Sequence, residues 1–151
     1  MRGVRTIALT ALIVGAMDIT AAITQAISRG ATATRLLQFV ASGLIGQKAF
    51  TGGAATAALG LGLHFVIAFT LVTVFYFASQ RLVLLRRYAV ISGLIYGLIV
   101  FGVMNLIVLP LSAAKPRHSL TGDLIQIGIH MFVIGVPTAL LVRRFSGAKT
   151  A

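Results

Sequence analysis

Ala54 to Ser79 reads AATAALGLGLHFVIAFTLVTVFYFAS, a run with one histidine and no formal charge, and it decides the class of fold. A helix rising about 1.5 Å per residue needs about 20 apolar residues to cross a bilayer, and this run exceeds that length. Three further runs match it: Ile7 to Ile27, uncharged except for Asp18; Tyr88 to Leu109; and Leu124 to Val142, whose helix is expected from about 120. Inside lipid the backbone must satisfy its own hydrogen bonds, so runs of this kind are helices. A barrel would instead show alternating strands of roughly ten residues, which the sequence lacks. The expected fold is an all-α integral-membrane four-helix bundle. It forms a single transmembrane domain over 1–151, with spans at 7–27, 54–79, 88–109 and 120–142.

Composition agrees. The chain is 58% hydrophobic and 10% charged, whereas soluble domains carry roughly 25% charged residues. Thirteen Lys and Arg stand against two acids. On a soluble chain that balance suggests nucleic-acid binding. Here the basic residues lie between the apolar runs, where they set topology and meet lipid headgroups. Membrane lipids, and no nucleic acid, are therefore the expected partners. Cysteine is absent, which excludes disulfides, thiolate metal sites and covalent haem attachment.

The basic residues also orient the chain. Arg2, Arg5, Arg81, Arg86, Arg87, Arg143, Arg144 and Lys149 fall on one side, and Arg29, Arg35, Lys48, Lys115 and Arg117 on the other. The larger group belongs in the cytoplasm, placing both termini inside. The first run has a basic start and Ala31-Thr-Ala33 beyond it, as a cleaved signal peptide would. Its length and its central Asp18 argue for a retained span instead.

The connections carry their own signals. In segment 34–47, Leu36, Leu37, Phe39, Val40, Leu44 and Ile45 recur at roughly helical spacing, broken by Gly43 and Gly46. This predicts a short interfacial helix on the periplasmic face, with a shallow re-entrant segment as the alternative. Phe50-Thr-Gly-Gly53 reads as a flexible turn into the second span. Residues 80–87 read as a tight basic connector that makes the second and third spans antiparallel neighbours. Pro110 is expected to end the third span, and Pro116 to keep the following loop extended. No internal repeat is evident.

Small residues indicate packing faces. Ala11, Gly15, Asp18, Ala22 and Gln25 form one stripe of the first helix, and Ala57, Gly60, His64 and Ala68 one stripe of the second. Gly93 and Gly97 form a GxxxG pattern that permits close helix approach. Four thin helices with such a face suggest a homo-oligomer.

Four residues are costly inside the spans: Asp18, His64, Asn105 and His130. A charged Asp at a helix centre costs roughly 2.5–3.5 kcal/mol on insertion scales. From the rise per residue, Asp18 lies about 16 Å from the inner end of its run and His64 about 15 Å from its outer end. His130 falls about 9–15 Å from the outer boundary and Asn105 lies somewhat nearer the periplasm. Each helix thus brings one polar residue to the middle or outer half. Asp123 and Gln126 share a face with His130 and would extend the pattern to the periplasmic surface. Asp123 also suits the first turn of a helix capped by Ser119 or Thr121.

Several roles fit this cluster. Polar side chains bonded across helices serve as packing glue. Asp18 and the two histidines suit proton, ion or small-solute handling. His64 and His130 suit a metal ion, or the axial positions of a b-type haem held in the bundle beside Gly60 and Gly62. A protein that binds lipid or a partner through segment 34–47 and its basic loops is a further reading. No nucleophile elbow, HExxH motif or paired carboxylates are present, so an enzyme is the least expected class.

The stretches Leu36-Leu-Gln-Phe-Val-Ala-Ser-Gly-Leu-Ile-Gly46 through Gly60-Leu-Gly-Leu-His-Phe65, and Met104-Asn-Leu-Ile-Val-Leu-Pro-Leu-Ser112, carry a resemblance along most of the chain. The sequence resembles a group of small four-span bacterial inner-membrane proteins that has no established activity. The resemblance implies an intact first helix and an inner-membrane location, and assigns no residue a role.

Overall fold

A computed structural model describes residues 2–115 and 119–146. The expectations resting on Pro116, Arg117 and Lys149 lie outside the described residues. In chain order the elements are α1 (Arg2–Ser28), α2 (Ala33–Ile45), a 3-10 turn (Gly46–Thr51), α3 (Gly53–Arg81) and α4 (Val83–Arg87). They end with α5 (Ala89–Leu111) and α6 (Leu120–Phe145). Helices α1, α3, α5 and α6 are long and apolar enough to cross a membrane. The described residues hold no strand. The protein is an all-α, multi-pass membrane protein.

The helices outrun the apolar stretches, taking in Arg5, Arg81, Arg143 and Arg144. Arginine tolerates this because its long stem stays against apolar surface while its head reaches water. The 80–87 connector is more ordered than a bare turn. It folds as α4, and Arg86 Nη1 donates to Gln80 Oε1 at 3.1 Å. Pro110 sits inside the last turn of α5, and the chain leaves the helix at Ser112, where φ is −88° and ψ 166°. The Thr32 hydroxyl caps α2 and the Ser119 hydroxyl caps α6.

Side-chain size sets the spacing between helices. Gly93 lies against the backbone of Gly135 and Val136, and Gly97 against that of His130 and Met131. The GxxxG pattern is therefore used inside the protein, between α5 and α6. Between α1 and α3, Gly15 admits Phe65 and Ala68. Helices α3 and α5 meet differently, through large rings: Phe75 and Tyr96 have centroids 5.0 Å apart, and Tyr96 Oη donates to the Leu71 carbonyl at 2.7 Å. They are neighbours as expected, but through side chains.

Helix α2 fills part of this wider seam. Its Leu37 carbonyl packs on Gly60 of α3, and Gln38 Nε2 donates to the Gly53 carbonyl at 3.1 Å. At its other end the Ala113 amide, just past α5, donates to the Gly43 carbonyl at 3.0 Å. Gln38, Ala41 and Ser42 are buried, while Leu44 and Ile45 are exposed. Gly53, at φ 59°, turns the chain into α3.

Gly3 lies against Tyr76, so the start of α1 adjoins the end of α3. Arg5, Arg81, Arg86, Arg87, Arg143 and Arg144 thereby gather at one end of the bundle, above a core of Ala11, Val72, Phe75, Ala89, Ala139 and Val142. Arg29, Arg35, Lys48 and Lys115 lie at the other end.

These contacts make a prediction. A Cβ at Gly97 would sit 2.6 Å from the His130 carbonyl carbon, whereas one at Gly102 meets nothing within 4 Å. Gly97→Val should destabilise the protein by about 1–3 kcal/mol, the usual cost of overpacking. Gly102→Val should be near neutral. Thermal unfolding in mild detergent checks this, and equal midpoints for the two variants would contradict the packing described.

Candidate functional site

The candidate site begins with one carbonyl. His64, on α3, places Nε2 2.9 Å from the Gly15 carbonyl oxygen of α1. A carbonyl only accepts, so Nε2 carries the proton and donates. In neutral His64 the other nitrogen, Nδ1, then presents a lone pair. That atom faces Asp18, with Nδ1 and Oδ2 3.9 Å apart. Asp18 is three residues beyond Gly15, so one helix supplies both partners of the imidazole.

The separation is longer than a hydrogen bond. One proton shared by the pair would be written either as a carboxylic acid beside imidazole or as carboxylate beside imidazolium. At an effective dielectric near 20, the attraction in the ionised form is about 4 kcal/mol. That matches in order of magnitude the roughly 2.5–3.5 kcal/mol cost of a charge at the centre of a membrane helix. Among the described residues Asp18 makes no hydrogen bond, so it is not held as cross-helix glue would be.

Asp18, His64 and His130 line one cavity of about 120 Å³, walled by Val14, Val40, Ile67, Leu71, Val72 and Ile134. This is room for several waters, since one occupies roughly 30 Å³ in the liquid. A second cavity, of about 350 Å³, is lined by Gln25, Arg29, Asn105, Asp123 and Gln126. His130 and Met104 border both. The second cavity forms a vestibule towards the Arg29 end, and His130 stands between it and the Asp18–His64 pair. His130 Nδ1 donates to the Gln126 carbonyl at 2.8 Å, which in the neutral ring leaves Nε2 as an acceptor.

The expected residues divide between the cavities. Asp18, His64 and His130 meet in the inner one. Asn105 does not join them: its Nδ2 donates to the Phe101 carbonyl of its own helix at 2.9 Å, and it lines the vestibule. Gln126 and Asp123 line the vestibule too, with Gln126 Nε2 donating to Gln25 Oε1 at 2.7 Å. Gly93 and Gly97 hold α5 against the segment that carries His130.

Other contributors carry no sequence signal. The Gly15 carbonyl is one. The π-helical segments Met104–Val108 and His130–Gly135 are two more, and they place Met104, Asn105 and His130 beside the cavities. Such segments recur at functional sites. Thr10 and Thr138 are fully buried, yet their hydroxyls bond no protein group. An orphaned buried hydroxyl costs about 1–3 kcal/mol.

A bis-histidine haem fits this geometry poorly. The cavity shared by the two histidines is about 120 Å³, below the roughly 300 Å³ at which ligand pockets usually begin. His64 Nε2 is also committed to Gly15. No group of three or more metal-ligating side chains occurs among the described residues. No family model, curated protein or solved structure matches the chain.

The protein has no native cysteine, so access is readily mapped. Asn105→Cys should react with a membrane-impermeant maleimide applied from the Arg29 side, while Val72→Cys, at a position 1% exposed, should react from neither side. Labelling of Asn105→Cys only from the opposite side would contradict the vestibule.

Proposed function

We propose that the protein is a non-enzymatic proton-handling membrane protein, in which the Asp18–His64 pair binds a proton taken from the Arg29 end. The observation that carries this reading is the commitment of His64 Nε2 to the Gly15 carbonyl. That bond leaves Nδ1 facing Asp18 in a cavity with room for several waters. The vestibule amides of Gln25, Asn105 and Gln126 supply donors and acceptors for a water file. His130 serves the narrowing by taking up and releasing a proton at Nε2, the nitrogen that its bond to the Gln126 carbonyl leaves free.

The same reading places the protein in a bacterial inner membrane with both termini in the cytoplasm. The support is the excess of basic residues at the end formed by Arg5, Arg81, Arg86, Arg87, Arg143 and Arg144. The vestibule then faces the periplasm, and α2 lies at that surface with Leu44 and Ile45 towards lipid. No resident cofactor is required. The proton itself, lipids and water are the partners.

Purified protein in liposomes, with a pH-sensitive dye inside and an imposed membrane potential, tests the reading. Wild type should acidify the lumen. Asp18→Asn should reduce the rate by about a hundredfold, the size usual for a positioned proton-transfer group. Asp123→Asn, in the first turn of α6, should leave it nearly unchanged. Equal rates for wild type and Asp18→Asn would overturn the assignment.

A further inference from the structure

Two helices repeat one pattern as they leave the Asp18 cavity for the arginine-rich end, and a third runs beside them. On α1, Asp18, Val14 and Thr10 follow at steps of four residues; on α6, His130, Ile134 and Thr138 do the same. On α3, His64 is followed by Ala68 and Val72. Val14, Val72 and Ile134 are all buried and all wall the inner cavity. Val14 and Ile134 form an apolar plug about one helical turn deep, and Val72, two turns from His64, flanks its inner side within the packed core. Beyond it lie Thr10 and Thr138, adjacent in sequence to Ala11 and Ala139 of a single packed cluster. Helices α1 and α6 are packed together there.

Both threonines are 0% exposed, and neither hydroxyl has a protein partner. This is unlike the exposed threonines of the same bundle. Thr20, Thr24 and Thr70 each donate to the carbonyl four residues back, at 2.7–2.8 Å. That local bond is the ordinary way for a helical hydroxyl to satisfy itself in lipid. Thr10 and Thr138 leave it unmade where lipid and bulk water are both excluded. Each hydroxyl offers one donor and two acceptor sites, and a buried water needs two to four such partners.

We infer that Thr10 and Thr138 hold relay water on the inner side of the Val14–Ile134 plug and form the exit half of the proton path. This rests on the proton-binding reading of Asp18 and His64 and extends it. In the step, the Asp18 carboxylic O–H bond breaks and its proton passes to water threading the plug. That water gives up one of its own protons inward, through water held by the two hydroxyls. The carboxylate left behind is reprotonated from the vestibule through His130. Ile134 lies within the π segment His130–Gly135, a geometry that recurs at functional sites.

The test compares Thr10→Val/Thr138→Val with Thr10→Ser/Thr138→Ser in the dye-loaded liposomes. Valine keeps the shape of threonine and removes only an unbonded hydroxyl, so the unfolding midpoint should match or exceed wild type. Flux should fall about tenfold or more in the valine pair and stay within about twofold of wild type in the serine pair, as loss of a proton-relay group predicts. The infrared carboxyl band of Asp18 should still respond to external pH in the valine pair, since filling from the vestibule is untouched. Wild-type flux in the valine pair would overturn the inference while leaving the Asp18–His64 reading in place. Equal loss in both pairs, or loss of the Asp18 response, would overturn it too, by assigning these positions to packing. Equal flux in wild type and Asp18→Asn would instead overturn the underlying reading.

Discussion

The hydrogen bond from His64 Nε2 to the Gly15 carbonyl is where the packing and the chemistry of this protein meet. It requires α1 and α3 to approach closely, and Gly15 allows this by leaving room for Phe65 and Ala68, where a Cβ would stand 2.8 Å from the Phe65 ring. It fixes the imidazole tautomer, because the acceptor has no proton to give. It also turns Nδ1 towards Asp18, three residues further along the same helix. An intramembrane carboxyl is tolerable only with such a partner. The orientation of the imidazole towards Asp18 follows from a backbone contact.

Around that contact the bundle is asymmetric. Small residues draw α1 to α3 and α5 to α6, while Phe75 and Tyr96 keep α3 and α5 apart. The wider seam receives α2 at the Arg29 end, and Val40 of α2 reaches the wall of the inner cavity. Polar groups line the seam from Arg29 to His64. Towards the other end the lining becomes Val14, Val72 and Ile134, and then closes on a packed core. The bundle thus has one polar approach and one apolar closure.

The four spans were legible in the sequence because length and apolarity are all that a bilayer demands of a helix. Their ends were not, since Arg81, Arg143 and Arg144 keep helical backbone while their heads reach water. The periodicity of segment 34–47 announced a helix. Its seat on α3 depends on Gly60 meeting the Leu37 carbonyl, a backbone contact that side-chain patterns do not encode. Depth along each helix grouped Asp18, His64 and His130, which line one cavity. The same reasoning placed Asn105 with them, although an amide bonded to its own helix has no need of the cluster. GxxxG indicates close approach without naming the partner, and here the partner is α6. The π segments and the orphaned hydroxyls of Thr10 and Thr138 exist only once the chain is folded.

The central claim is that His64 keeps its Nε2 proton in every state and exchanges the proton at Nδ1 with Asp18. Solid-state nitrogen-15 NMR of ring-labelled protein in lipid bilayers reads the two nitrogens separately. The account predicts that His64 Nε2 stays protonated across the titration, that only Nδ1 changes, and that Asp18→Asn alters the Nδ1 response. A neutral His64 carrying its proton on Nδ1, or a titration indifferent to Asp18→Asn, would contradict it.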